Sequence, residues 1–177
     1  MRKSCIPNVF TFINLSCGVI SILSAMDEKY AMAGVFILLA GLVDRYDGRI
    51  ARFLDVSSDL GKELDSLADL VSFGVAPSIL VYLLFKLESF GPKGLLGFAV
   101  LLLFPICGAY RLARFNAAEF DGSFTGVPIT IVGCFMALFS IIVIQLNLDM
   151  TMLIYISFLL MIIGSYLMVS TIRLKKV

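Results

Sequence analysis

Long apolar runs, broken at a few points by short clusters of charge, dominate this chain. A helix needs about 20 residues to cross a hydrocarbon core of about 30 Å. Runs that can do so fall near 9–26, 30–54, 65–85, 95–115, 127–146 and 150–172. They predict an all-α, polytopic membrane protein, a six-transmembrane-helix bundle read as a single membrane domain over residues 1–177. An even number of spans puts both termini on one side. The second and third runs are unusual, because their strictly apolar parts cover only 30–43 and 70–85. At about 1.5 Å per residue these reach roughly 21 to 24 Å. Their helices must therefore continue through polar residues, and the stretch 44–69 begins and ends at headgroup depth. Gly74 and Pro77 interrupt the third run, Pro105 and Gly108 interrupt the fourth, and Pro128 suits the first turn of the fifth helix.

Composition removes the soluble alternatives. Hydrophobic residues make up 60% of the chain and mean hydropathy is +1.01, against roughly half apolar in soluble domains. Net charge is only +1, which argues neither for nor against a nucleic-acid partner; no basic arm longer than a few residues exists, and no such partner is expected. Cys5, Cys17, Cys107 and Cys134 form no CxxC pair and read as packing residues. Arg2 and Lys3 precede the first run without a small-residue cleavage site, which suits a first transmembrane helix better than a removed signal.

Charge sets the orientation. Eleven of the 14 basic residues fall at the N-terminus, in 44–69, in 111–125 and at the C-terminus; only Lys29, Lys86 and Lys93 fall on the other side. The positive-inside rule then places both termini and the acidic stretch in the cytoplasm, at the cell membrane.

The chemistry concentrates in that stretch. Asp44 and Asp47 are three apart and Asp65 and Asp69 four apart, so each pair shares a helix face. Like charges at these spacings repel, and two such pairs at neighbouring helix ends are costly unless a cation lies between them. The chain has no histidine, so the commonest general base and transition-metal ligand are missing, and oxygen-only ligands favour Mg²⁺ or Mn²⁺. Four carboxylates suit two divalent cations, an arrangement used for displacement at phosphorus. Gly48, Ala51 and Gly61 leave room for a phosphate to approach the backbone, and Arg49 and Arg52 bring positive charge. A solvated loop of ordinary surface ion pairs is the plain alternative. Against it stands the restriction of the aspartates to single faces at membrane depth.

The pattern Asp44-x2-Asp47-Gly48-x2-Ala51-Arg52-x8-Gly61-x3-Asp65-x3-Asp69 resembles the complete signature of the CDP-alcohol phosphatidyltransferases. The resemblance implies that an alcohol displaces CMP from a CDP-linked lipid. By matching position, Asp44, Asp47 and Asp65 would hold one cation and Asp44, Asp65 and Asp69 the other. Asp69 would take the proton of the attacking hydroxyl; Gly48, Arg52 and Ser58 would touch the CDP portion, with Asn8, Thr11, Ala51 and Gly61 in the same CDP-lipid site. A homodimer is also implied.

Two further motifs, Pro7-Asn8-x2-Thr11-x2-Asn14 and the run 110–116 with Phe124-x-Gly126-x-Pro128, are similar to the serine-using members, the membrane-embedded phosphatidylserine synthases. The implied substrates are CDP-diacylglycerol or CDP-archaeol and L-serine, within membrane lipid. Arg111 and Arg114 can bind a serine carboxylate bidentately, or anchor to lipid phosphates. Asn8, Thr11 and Asn14 can bond substrate, or serve as helix-start and packing residues. Two alternatives stay open: the same chemistry with glycerol 3-phosphate or an inositol phosphate as acceptor, and a cation-binding transporter.

Overall fold

A computed structural model describes residues 5–54, 59–117, 124–146, 150–171 and 173–174, with side chains described over 8–46, 60–117, 126–146 and 152–171. Six helical rods stand side by side. They are α1 (Cys5–Met26), α2 (Tyr30–Leu54), a composite third rod, α5 (Leu95–Ala117), α6 (Ile129–Leu146) and α7 (Met150–Val169). The third rod joins α3 (Asp59–Asp69), a π-helical segment (Leu70–Val75) and α4 (Ala76–Leu84). Two-residue strands β1 (Phe124–Thr125) and β2 (Arg173–Leu174) pair antiparallel at one end.

Over the described residues, five of the rods are long and apolar enough to cross a membrane. In α2 the apolar part stops before Asp44, and the portion with described side chains, 30–46, is shorter than a full span. Large apolar side chains such as Phe98, Ile106, Phe135, Ile142, Tyr155 and Ile163 face outward, an apolar surface that a bilayer covers and water does not. This is a multi-pass membrane protein.

The composite rod is the centre: 61% of its spanning window is buried, against 33–39% in the other spans. Lipid supplies no hydrophobic drive between helices, so close packing through small residues holds such a bundle together. A side chain at Gly18 of α1 would overlap Ser72 of the π segment, and one at Gly133 of α6 would strike the backbone of Phe73. Both neighbours thus press directly on the π turn. Within it, the Ala76 N–H reaches five residues back to the Val71 carbonyl. The wider turn inserts one residue into the helix and rotates the acidic face of α3 relative to the apolar face of α4. Pro77 lies just past the π segment, at the start of α4, and offers no N–H to the carbonyls of the preceding turn.

One helix, α5, carries both Pro105 and Gly108 in its interior. Pro105 lies against Gly74, and Gly108 is closed over by Ile129. Both residues serve close helix approach. Pro128 immediately precedes α6, and its carbonyl accepts the N–H groups of Ile131 and Val132. Cys17, Cys107 and Cys134 are free thiols within the bundle, as expected of packing residues.

Candidate active site

The last polar turns of two rods meet where the apolar sequence ends. Asp44 follows the apolar part of α2, while Asp65 and Asp69 share one face of α3 just before the π turn. One oxygen from each of these three side chains lies within 4.8 Å of the others. Asp69 is buried, and Asp44 and Asp65 are half-buried. At about 4 Å, two like unit charges repel by about 1 kcal/mol in water and about 4 kcal/mol at the effective dielectric near a protein surface. Three carboxylates so placed are matched to a bound cation, and their hard oxygen donors fit the divalent ions that such sites take.

Neighbouring helices fix Asp69. The Asn14 Nδ2 of α1 donates to Asp69 Oδ1 at 3.0 Å, and the Ser72 hydroxyl donates to the Asn14 backbone carbonyl at 2.9 Å. Thr11, one turn before Asn14, is also buried. From α5, Arg111 reaches into the electrostatic range of Asp69 and is only 8% exposed. Two buried polar atoms have no hydrogen-bond partner among the described residues: Asn14 Oδ1 and Arg111 Nε. They belong to the two side chains that flank the deepest aspartate. Cys134 of α6 lies in the field of Asp44 and Asp69. Beside it an open groove of about 590 Å³ runs between α2 and α6, from Arg45 down past Gly41, Leu38 and Leu138.

The residues singled out from sequence are distributed as follows. Asp44, Asp65 and Asp69 converge; the side chain of Asp47 lies outside the described residues, as do those of Gly48, Ala51 and Arg52 farther along α2, and Ser58 lies wholly outside them. Asn8 and Gly61 are half-buried on α1 and α3. Arg111 and Arg114 part company. Arg114 donates to the carbonyls of Val169 (3.0 Å) and Ser170 (3.2 Å) and stands over the Tyr110 ring at 5.9 Å, fastening α5 to the end of α7. Gly126, in the left-handed region at φ +80°, lies against that guanidinium and the Met168 carbonyl, where a Cβ would collide.

Sequence reasoning assigned no bracing role to two residues. Ser72 is one, and its only trace in the sequence is a lone hydroxyl in an apolar run. The other is Asn116, whose Nδ2 donates to Ser66 Oγ at 3.0 Å and Glu63 Oε1 at 3.3 Å, tying the end of α5 to α3.

Known proteins resemble this chain over most of its length. A protein of Mycobacterium tuberculosis named CDP-diacylglycerol–serine O-phosphatidyltransferase is 37% identical over 131 residues, which are 70% of this chain and 44% of that protein. One of the same name from Bacillus subtilis is 38% identical over 138 residues, 76% of this chain and 75% of the relative. The archaetidylserine synthase of Methanothermobacter thermautotrophicus is 38% identical over 130 residues, 71% of this chain and 53% of the relative. The chain spans about half the length of the mycobacterial and archaeal relatives and three quarters of the Bacillus one. The family model for CDP-alcohol phosphatidyltransferases matches residues 4–172, a range that includes every aspartate of the cluster, and the chain belongs to the CDP-alcohol phosphatidyltransferase family.

Proposed function

We propose that this protein transfers the phosphatidyl or archaetidyl group of CDP-diacylglycerol or CDP-archaeol to the hydroxyl of L-serine, releasing CMP, at the cytoplasmic face of the cell membrane. The observation that carries the reading is the convergence of Asp44, Asp65 and Asp69, in a chain whose relatives are named for serine transfer. Asp44, Asp65 and Asp69 would hold one divalent cation, Mg²⁺ or Mn²⁺, with Asp47 joining them for a second. Such cations neutralise the pyrophosphate of the CDP-lipid and the charge that gathers on it during displacement.

The chain's own residues do the rest. Asp69, oriented by Asn14, takes the proton of the serine hydroxyl; no histidine exists to do so. The serine oxygen forms a bond to the lipid-bearing phosphorus, the bond from that phosphorus to the CMP oxygen breaks, and CMP leaves with the electron pair. The Arg111 guanidinium receives the serine carboxylate, a task that suits a planar donor fork. The nucleotide portion lies along Asn8, Thr11, Gly48, Ala51, Arg52, Ser58 and Gly61, and the lipid tails enter sideways, with the groove between α2 and α6 open to them. A second copy of the chain belongs to the same reading through the family.

Purified protein incubated with CDP-diacylglycerol, labelled L-serine and Mn²⁺ or Mg²⁺ tests this directly. Phosphatidylserine and CMP should form in equal amounts. CMP release with glycerol 3-phosphate and none with serine would refute the acceptor, and cation flux in liposomes without CMP would refute the enzyme.

A further inference from the structure

Asn14 has two hands, and only one is occupied. Its amide N–H groups face Asp69, at 3.0 Å to Oδ1. Its carbonyl oxygen is buried with no donor among the described residues, in a side chain 1% exposed. A buried acceptor left unpaired costs about 1–3 kcal/mol, and the side chain is not free to escape it. The Ser72 bond to the Asn14 backbone carbonyl and the contact of Gly18 with Ser72 hold this stretch of α1 against the π turn. Turning the amide over would set its oxygen against the Asp69 carboxylate, oxygen to oxygen. A cation held by Asp69 does not answer the need either, because the edge of Asn14 facing that carboxylate is the N–H edge. What the free oxygen lacks is a hydrogen-bond donor.

Building on the serine reading above, we propose that Asn14 is a specificity-determining residue for the acceptor alcohol, its carbonyl oxygen receiving the ammonium group of a β-amino alcohol whose hydroxyl lies at Asp69. In such an acceptor the hydroxyl and the ammonium sit on adjacent carbons, a span matched to one carboxylate and the amide bonded to it. The other unpaired buried atom, Arg111 Nε, is a donor and suits the remaining group, the carboxylate. An acceptor from α1 and a donor from α5 thus complement a zwitterion. A sugar phosphate carries no cationic group for Asn14. The same residue also positions Asp69, so its loss affects the rate with any acceptor and, separately, the choice among acceptors.

The test measures CMP release by the whole protein with CDP-diacylglycerol and either L-serine or 3-hydroxypropanoate, which is serine without its ammonium group. Wild type should prefer serine in kcat/KM by a factor on the order of 10² or more, as sites built around a hydrogen-bonded group do. In Asn14→Leu, which lacks both hands, kcat should fall with both acceptors and the preference should shrink to about tenfold or less. Asn14→Asp keeps acceptor oxygens and loses the donor; kcat should fall with both acceptors while the preference for serine is retained. An undiminished preference in Asn14→Leu would overturn the proposal and leave the oxygen to a buried water only. Loss of preference in Asn14→Asp would also overturn it, and this variant, close in shape to the native residue, decides the matter if Asn14→Leu does not fold. Absence of CMP with serine in wild type would instead strike at the underlying activity.

Discussion

Arg111 and Arg114 stand one turn apart on α5, carry the same charge and occupy the same sequence motif, yet they serve different regions of the molecule. Arg114 spends its guanidinium on the carbonyls of Val169 and Ser170 and on the Tyr110 face, all at the outer seam between α5 and α7. Arg111 turns inward to the field of Asp69, with a buried N–H that has no partner among the described residues. A seam that only holds helices together can be completed by the chain itself. On opposite flanks of Asp69, Arg111 Nε and Asn14 Oδ1 lack such partners among the described residues, which is what the proposed serine site calls for.

Substitutions on either side of this divide should separate cleanly. The largest effect belongs to Asp69→Asn, which keeps the shape and removes the base. CMP release should fall at least about 10²- to 10⁴-fold, and because Asp69 also belongs to the proposed cation site, the loss should persist at saturating Mn²⁺. Near-normal turnover would remove Asp69 as the proton acceptor.

Next comes Arg111→Ala. Serine kinetics should show KM raised about tenfold or more, with Arg111→Lys a poor rescue because a point charge cannot reproduce the fork. Arg114→Ala should leave serine KM within about threefold and act on stability instead. Hydrogen bonds from a charged group contribute about 1.5–3 kcal/mol, and partial exposure of Arg114 favours the low end, so a lowered Tm in detergent is the expected result. The reverse pattern, with Arg114 altering KM and Arg111 altering only Tm, would break the comparison.

Much of this architecture was visible in the order of residues. Run lengths place α1, α2, α5, α6 and α7 within a few residues, and the third rod except for its polar start at Asp59, because crossing a bilayer imposes a minimum length that composition cannot hide. The aspartate faces were equally visible, since spacings of three and four fix a helix face before any packing is known. Packing decided the rest. Sequence cannot tell a proline that breaks a helix from one that seats against a neighbouring glycine, as Pro105 does on Gly74. The π turn left no mark beyond Gly74 and Pro77, because its extra residue is absorbed in hydrogen-bond register and not in composition. The split between Arg111 and Arg114 depends on how α5 is rotated, which is set jointly by the third rod inside and α7 outside. Asn14 was legible as a polar residue in an apolar helix. That its two ends have different fates required the position of Asp69.

The cation site is the claim on which the rest depends, and Mn²⁺ titration of the detergent-solubilised protein, followed by the loss of the free-ion EPR signal, reads it without reference to turnover. Wild type should take up Mn²⁺ saturably and in competition with Mg²⁺, while Asp65→Asn, which removes a charge from the cluster of Asp44, Asp65 and Asp69, should weaken that uptake at least about tenfold. Equal uptake by the two proteins would contradict the account.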